Sequence, residues 1–212
     1  MKPGRSGTAR SGRHADPRKD AAILRAAKRL FSKTGFDRTG MDAIALAANV
    51  SKPTIYSKFG NKERLFQTTL HSLVQDMPTP ADLIGRRTGP LPERLHGIAR
   101  DTLRIATGPV MAGIHRMLAL PMQSARLESR QLWNTYFQPY HDAMRSLLET
   151  EATTAGLVIP DAADAASHFF GLVAGQPTIH MLIAGQRSLQ EDEIQRHAGA
   201  AVDLFLRAHR PG

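Results

Sequence analysis

The amino-acid sequence predicts an all-α protein, with a small N-terminal helical domain followed by a larger helical domain. Apolar residues recur at spacings of three and four along most of the 212-residue chain, which is typical of amphipathic helices. Glycine, proline and N-capping residues divide this pattern into segments of helix length. No segment shows the period-two alternation of a strand. The segments group into three parts: residues 1–15, 16–66 and 67–212.

The first helix follows an arm that has almost nothing to bury. Residues 1–15 are rich in glycine, serine and arginine, a composition that predicts a disordered basic arm. Asp16 and Pro17 are typical of a helix start, and Gly35 is typical of a helix end. Between them, one apolar stripe follows helical spacing: Ile23, Ala26, Ala27, Leu30 and Phe31.

Two short helices joined by a tight turn are predicted over residues 39–59, as in a helix-turn-helix unit. Pro53 falls in the first turn of the second of these helices, where proline is tolerated. A fourth helix follows this unit and completes the N-terminal group of helices. The boundaries are set by a capping box in its acidic form from Thr39 to Asp42, the turn Ala48 to Val50, the N-cap Ser51 and the N-cap Asn61.

The rest of the chain is predicted to be a succession of helices with short connections. Residues 78–90 hold three prolines and two glycines, so we expect a linking loop or a broken short helix there. Ser188 to Glu191 fits a second capping box, and Pro139 is expected to kink the long helix that contains it. The expected helices span residues 91–107, 109–120, 127–155, 160–184 and 189–208.

Positive charge is concentrated near the N-terminus. Residues 1–64 contain 15 Lys and Arg against 5 Asp and Glu, whereas residues 65–212 contain 13 against 14. This asymmetry indicates a polyanionic partner, either nucleic acid or an acidic membrane surface. The absence of cysteine excludes disulfides, thiol nucleophiles and cysteine zinc sites. Because neither a signal peptide nor a membrane-spanning apolar run is visible, we expect a cytoplasmic protein with no membrane partner.

The helix that follows Ser51 has a face suited to DNA. Val50, Ile55 and Phe59 are expected to point inward. The other side chains offer cations, a hydroxyl and a phenol, which suit phosphate oxygens and base edges in the major groove. The alternative is an ordinary solvated face. The candidate DNA contacts on this helix are Lys52, Thr54, Tyr56 and Lys58.

Residues 20–66 contain a series of spaced motifs: Ile23-Leu-x-Ala-Ala27-x-x-Leu-Phe31, Gly35-Phe36, Thr39-x-Met41-x-x-Ile44-Ala45, Val50-Ser-Lys-x-Thr54-x-Tyr56-x-x-Phe59 and Lys62-Glu-x-Leu65. Together these motifs resemble the N-terminal domain of the TetR family. Asn49 and Pro53 depart from the family pattern, because the family usually has glycine in the turn and often has glycine at the position of Pro53. Asparagine tolerates the left-handed backbone region better than most residues, so we expect the turn to survive.

This resemblance implies a DNA-binding transcription regulator, by default a repressor, that a small effector releases from a palindromic double-stranded operator. It implies that Thr39 contacts phosphate and that Lys62 anchors the DNA backbone. It also implies that the four candidates on the third helix face the groove or its flanking phosphates. The arginines of the arm then enter the minor groove, or they serve solubility alone.

The C-terminal part, through Ile114-His-Arg116 and His168-Phe-Phe170-Gly, resembles the AefR-like group of the same family. The resemblance implies an effector-binding domain whose last two helices pair with a second subunit. The residues agree, because the helix over 162–184 is apolar on nearly all sides and needs a cover beyond its own domain. We therefore expect a homodimer formed through residues 162–184 and 189–208.

Aromatic and methionine side chains indicate a cavity for a small apolar or amphipathic effector, with histidine and glutamine as polar anchors. The alternative for each residue is ordinary core packing. The candidate residues are Met111, His115, Trp133, Tyr136, Phe137, Tyr140, His141 and Gln176, and Met117 and Met122 are further methionines of the same kind.

Patterns for metal binding or catalysis are absent from the sequence. It has no His-x-x-x-His pair, no Gly-rich phosphate loop and no nucleophile elbow. We therefore expect no metal site, no catalytic residues, no cofactor and no enzymatic activity. An all-helical enzyme and a cationic membrane-surface protein are the alternatives. Operator binding that falls when a small molecule is added would separate a regulator from both.

Overall fold

The fold is helical throughout the residues that the computed structural model describes, which are 17–118, 130–131, 133–184 and 188–211. These residues contain no strand, so the predicted all-α class is confirmed. The predicted arm, Asp16 and Met122 lie outside them. The helices are α1 Pro17–Arg38, α2 Met41–Ala48, α3 Lys52–Phe59, α4 Lys62–Val74, α5 Leu91–Ala106, α6 Pro109–Leu118, α7 Gln138–Glu151, α8 Ala162–Ala184 and α9 Glu191–Ala208.

The buried side chains form two clusters. The N-terminal cluster joins α1, α2, α3, α4 and α6, and in it Phe66 meets Phe31 and Phe36 edge to face, at centroid distances of 5.1 and 5.2 Å. The C-terminal cluster joins α5, α7, α8 and α9, and in it Phe169 meets Phe205 edge to face at 5.4 Å. In the described part of the chain, no helix is both long enough and apolar enough to pass through a membrane.

Helix α6 belongs to the N-terminal cluster although it follows α5 in the chain. Its residues Met111, Ile114 and Met117 are buried there. The guanidinium of Arg116 donates to the carbonyl oxygen of Ser32 in α1 at 3.1 Å. Helix α6 therefore joins the first four helices to the larger C-terminal domain.

Capping residues fix the ends of the helices on either side of α3. The side-chain oxygens of Ser51 and Asn61 accept hydrogen bonds from the N–H groups of Thr54 and Arg64, at 3.3 and 2.7 Å. Both predicted N-caps are therefore confirmed. Within α1 the backbone passes through Gly35 with φ 77° and ψ 175°, a region that side chains with a Cβ rarely adopt. The regular helix thus ends at Gly35, as predicted, and a separate turn completes α1.

The capping box predicted at Thr39 is wrong. Helix α2 begins after Gly40, which makes no side-chain cap. Thr39 instead donates its hydroxyl to the carbonyl oxygen of Gly35 at 2.6 Å, and only 2% of its surface is exposed. The hydroxyl of Thr39 is thus bound to the end of α1, and Gly40 occupies the N-cap position of α2.

The second predicted capping box is displaced by two residues. Helix α9 begins after Gln190, whose N–H donates to the carboxylate of Glu193 at 2.8 Å. Glu191, the predicted partner of Ser188, lies 2.6 Å from the guanidinium of Arg104 in α5. This contact between helices engages Glu191, and the N-cap of α9 is Gln190 in place of the predicted Ser188.

Two single π-helical turns interrupt the succession of α-helices, the first in the predicted linker and the second within the long helix predicted over residues 127–155. The turn Ala81–Gly85 falls within the predicted linker and buries Leu83 and Ile84. The turn Trp133–Phe137 leads directly into α7, whose first turn contains Pro139. Because proline has no N–H to donate, regular helical bonding cannot continue unbroken through this point. The predicted disturbance at Pro139 therefore takes the form of a π-helical turn.

Candidate DNA interface and effector cavity

The turn between α2 and α3 closes on Asn49. Its φ of 52° and ψ of 49° lie in the left-handed region. The N–H of Asn49 donates to the carbonyl of Leu46 at 3.2 Å, and the N–H of Val50 donates to that of Ala45 at 3.0 Å. Asparagine enters this region more readily than most residues with a Cβ. The tight turn therefore forms without the glycine that the family usually has there.

Four exposed side chains make up one side of α3, which we call the reading face: Lys52, Pro53, Tyr56 and Ser57. Successive members of this set are one or three residues apart, and two pairs are four residues apart, so all four lie on one side of the helix. The opposite side carries Ile55, which is fully buried. A rigid helix thus presents a cation, an apolar ring, a phenol and a hydroxyl together.

The sequence-based candidates on α3 were spaced at every second residue, which is the period of a strand. Two residues along a helix correspond to a rotation of about 200°, so such a set cannot share one side. Thr54 and Lys58 are accordingly partly buried at the flank of α3. Pro53 and Ser57 were missed, although helical spacing from Lys52 and Tyr56 points to them.

Lys52 is held by a carboxylate on the preceding helix. Its Nζ donates to Oδ2 of Asp42 in α2 at 2.9 Å, and both side chains are exposed. This hydrogen bond raises the pKa of Lys52 above its ordinary value, so the group stays fully charged. Because exposed ion pairs are weak, the ammonium can exchange Asp42 for a phosphate.

Lys58 and Thr54 bind to neighbouring groups of the protein. The Nζ of Lys58 lies 2.5 Å from Oδ1 of Asp20 in α1, and 18% of its side chain is exposed. The hydroxyl of Thr54 lies 2.7 Å from that of the N-cap Ser51. These contacts fix α3 against α1 and fix its first turn.

Lys62 and Thr39 both lie near the end of α1. Lys62 is the first residue of α4, and Thr39 lies between α1 and α2. The Nζ of Lys62 is 4.3 Å from the ring centroid of Phe36 and donates to the carbonyl of Asp37 at 3.4 Å. Lys62 is partly exposed and keeps donors for a further partner. Thr39 is buried, and its hydroxyl lies 2.8 Å from that of Thr34. In this arrangement the Thr39 hydroxyl faces the protein.

A cavity of about 400 Å³ lies between α5, α6, α7, α8 and the second π-helical turn. This volume falls in the range of small-molecule sites. Six of the eight predicted effector-pocket residues line it: Met111, His115, Trp133, Phe137, Tyr140 and His141.

The other two predicted pocket residues lie elsewhere. The hydroxyl of Tyr136 hydrogen-bonds to Nδ1 of His71 in α4, and the two rings meet at a centroid distance of 5.4 Å. Gln176 is exposed on α8. Ala174 and Thr178, each two residues away from it, line the cavity, and a helix turns two residues to nearly opposite sides.

The cavity is lined by a few polar side chains whose pKa values are shifted by burial. The hydroxyl of Tyr140 donates to the carbonyl of Pro78, and burial raises the pKa of Tyr140. Burial lowers the pKa of His115 and of His141, which favours neutral imidazoles. Thr102 on α5 also lines the cavity and was not among the predicted pocket residues, because only packing shows which side of α5 faces the cavity.

An exposed apolar face covers part of the last two helices. The side chains of Ile179 and Ile183 are 54% and 83% exposed, although both are large and apolar. We call this surface the α8–α9 face, and it consists of Leu172, Ile179, Leu182, Ile183 and Leu204.

Among the described residues, no group of three or more histidines and carboxylates is arranged to hold a metal ion.

Comparisons with known families match both parts of the chain. Residues 23–69 match the profile described as bacterial regulatory proteins of the tetR family. Residues 93–211, more than half of the chain, match the profile of the C-terminal domain of AefR-like transcriptional repressors.

Individual proteins show the same similarity. The chain is 40% identical over 74 residues to the HTH-type transcriptional regulator YhgD of Bacillus subtilis, and this match spans 35% of the chain and 39% of that relative. The flavonoid-responsive regulator FrrA, whose structure is solved, has 30% sequence identity to this chain. The two structures align with a TM-score of 0.69 over 92% of this chain and 99% of FrrA. A TetR transcriptional regulator from Agrobacterium tumefaciens is 26% identical, with a TM-score of 0.76 over 92% and 94%. With its helix-turn-helix unit, its helical C-terminal domain and these matches, the chain belongs to the TetR family of non-enzymatic, DNA-binding transcription regulators.

Proposed function

We propose that the protein is a cytoplasmic homodimer that represses transcription by binding a palindromic operator, and that a small molecule in the cavity releases it. The observation that carries the proposal is the reading face, because it places a cation, a phenol and a hydroxyl on one exposed side of α3. Groups of these kinds bind phosphates and base edges in the major groove.

Each candidate contact has its own part in this proposal. Tyr56 and Ser57 reach base edges, while Lys52 leaves Asp42 to bind a flanking phosphate. Lys62 binds the DNA backbone from the start of α4. Thr54, Lys58 and the buried Thr39 act indirectly, because their contacts within the protein orient the helices. The arm over residues 1–15 follows the minor groove.

The second subunit covers the α8–α9 face. Large apolar side chains are seldom left exposed in a contiguous patch, and TetR-family regulators act as dimers. A twofold axis through this face presents two copies of α3 to one side of the DNA. Their operator is then an inverted repeat with half-sites about 34–36 Å apart, or a multiple of this spacing.

The cavity is the sensor in this proposal. FrrA, 30% identical, is described as flavonoid-responsive, which supports an organic effector here as well. Trp133 and Phe137 line the cavity, while Tyr136, in the same π-helical turn, holds His71 of α4. Tyr140 also lines the cavity and holds the carbonyl of Pro78.

A ligand that shifts this turn thus displaces α4, and with it Lys62 and the adjoining α3. Effector and DNA are coupled only if the ligand prefers the displaced state. Typical coupling changes affinity about 5–150-fold.

Selection of bound DNA from a random pool tests the DNA part of the proposal. Sequencing of the selected fragments is expected to give an inverted repeat. Selected sites that have no inverted symmetry would contradict a symmetric dimer on a palindrome. Titration of the selected operator in the presence of candidate effectors then tests release, which requires a fall in operator affinity.

A further inference from the structure

The residues that line the cavity include two polar atoms for which the described part of the chain supplies no partner. Oγ1 of Thr102 and Nδ1 of His115 are buried and make no hydrogen bond with any described residue. Both residues line the cavity. A buried polar group without a partner costs free energy, so such groups in native proteins call for an explanation. A bound molecule that bonds to both atoms would supply one.

Thr102 makes no hydrogen bond with the backbone of its own helix. A threonine within a helix commonly donates its hydroxyl to the carbonyl four residues earlier. Thr102 lies in the middle of α5, where the carbonyl of Ile98 is available in the same way, yet its hydroxyl makes no such bond. The threonines that do make this bond are Thr34, Thr68, Thr69, Thr107 and Thr150.

His115 offers the complementary chemistry on α6. Burial holds its pKa below the ordinary value, so its imidazole is neutral at pH 7. A neutral imidazole has one nitrogen that donates and one that accepts. The ring can therefore bond to a ligand hydroxyl through Nδ1 without carrying a charge into the cavity.

The remaining lining determines which ligands are excluded. Among the described residues that surround the cavity there is no Lys, Arg, Asp or Glu. An ionised ligand group buried among these residues would find no counter-charge on them, which is strongly unfavourable. Aromatic rings are abundant instead, with Trp133 stacked on Phe137 and His141 against Phe170. Flat aromatic surfaces suit such walls.

We infer that the effector is a neutral, largely aromatic molecule carrying a hydroxyl group that exchanges hydrogen bonds with Thr102 and His115. This inference rests on the proposed function, since it specifies the ligand of the same cavity. The hydroxyl gives orientation, and the apolar walls give most of the affinity.

A matched set of three compounds tests the inference: biphenyl, 4-phenylphenol and biphenyl-4-carboxylate. Their dissociation constants are measured on the full-length protein from the fluorescence of Trp133, the only tryptophan of the chain, which lines the cavity. We expect biphenyl-4-carboxylate to bind at least tenfold more weakly than 4-phenylphenol.

Two variants then remove the polar atoms while keeping side-chain shape. Thr102→Val and His115→Phe are each expected to lower the affinity for 4-phenylphenol about 2–10-fold, as the loss of one hydrogen bond predicts. The affinity for biphenyl stays level or rises, because the cavity becomes more apolar. Thr150→Val, on an exposed position of α7, is the control and should alter neither ligand's affinity.

The inference is overturned if the carboxylate binds as tightly as the phenol, if both variants keep the wild-type ratio of phenol to biphenyl affinity, or if none of the compounds binds. Parallel measurement of operator affinity separates this from the proposed function. Release of the operator by the carboxylate alone would overturn the ligand class but keep the regulator. Selective binding of the phenol with no change in operator affinity would keep the ligand class and remove the proposed release.

Discussion

At the scale of single residues, positive charge on the helix-turn-helix unit is not equally available to DNA. Lys58 is mostly buried against Asp20, and Lys62 lies over the ring of Phe36. Tyr56, by contrast, is 43% exposed in the middle of the reading face. In the proposed complex we therefore expect Tyr56 to determine sequence preference and Lys62 to contribute electrostatic attraction to the DNA backbone.

Replacement of Tyr56 and of Lys62 should separate these contributions. Tyr56→Ala is expected to weaken binding to the selected operator and to relax sequence preference, because a groove contact is lost. Lys62→Ala should weaken binding to all sequences and reduce the slope of log affinity against log salt by about one unit, since one phosphate contact is lost. Affinities measured across a salt series check both, and an unchanged slope for Lys62→Ala would argue against a phosphate contact.

Asp42 should limit DNA affinity. Its carboxylate holds Lys52 and lies exposed near the reading face, where it also repels phosphates. Asp42→Asn is expected to raise operator affinity about 2–5-fold at low salt, with a smaller gain at high salt because screening weakens the repulsion. Glu149→Gln, which removes an exposed carboxylate on α7, is the control. Equal or lower affinity for Asp42→Asn would show that Lys52 needs its partner to be positioned.

Sequence reasoning found residues whose roles are local and missed those decided by packing. Asn49, Ser51 and Asn61 were predicted because turn and cap chemistry depends on a few neighbouring residues. Thr39 is not the cap because α2 begins one residue later, after Gly40, and the buried Thr39 hydroxyl donates to the carbonyl of Gly35 at the end of α1. Tyr136 was expected among the cavity residues, but its hydroxyl has a partner in α4, 65 residues away in sequence.

At the scale of elements, the turn before α3 sets the angle of the reading face. Asn49→Gly should leave stability almost unchanged, because glycine adopts a φ of 52° without strain. Asn49→Ala should lower the free energy of unfolding by about 1–2 kcal/mol, the cost of the left-handed region for a residue with an ordinary side chain. Denaturant unfolding measures both. A stable Asn49→Ala variant would mean that the turn relaxes to another shape.

The second π-helical turn joins the cavity to α4, so its contacts should govern coupling more than ligand affinity. Tyr136→Phe removes the hydrogen bond to His71 but no group that lines the cavity. We expect effector affinity in the absence of DNA to change less than about twofold, while the effect of the ligand on operator affinity shrinks. His96→Phe, on α5, is a control that leaves α4 untouched. Full release in Tyr136→Phe would place the coupling path elsewhere.

Helix positions were predicted from periodicity, whereas helix ends and the π-helical turns depended on distant partners. The pattern over 91–107 gave α5 to within one residue, because its apolar stripe is regular. The start of α9 was displaced because Glu191 is engaged by Arg104, 87 residues away. No local rule contains such a contact.

At the scale of the whole molecule, the α8–α9 face is expected to hold two subunits together. Ile179→Glu should convert the dimer to a monomer at micromolar concentration, since the charge would be buried without a partner. The helix content should stay the same, because Ile179 is exposed within one protomer. Sedimentation velocity and circular dichroism check these outcomes. Val158→Glu, at another exposed apolar residue, should remain dimeric, and a dimeric Ile179→Glu variant would move the interface away from this face.

The placement of α6 bears on how such regulators can be recombined. Its side chains complete the core of the DNA-binding helices, although the chain reaches them only after α5. A chimera that joins this DNA-binding segment to a foreign sensor anywhere before residue 109 would lose Met111, Ile114 and Met117 from that core. The transferable unit is therefore discontinuous, made of residues 17–74 together with 109–118. Recombination between relatives should succeed only where the incoming α6 matches the surface of α1, which ties the evolution of sensing to that of DNA binding.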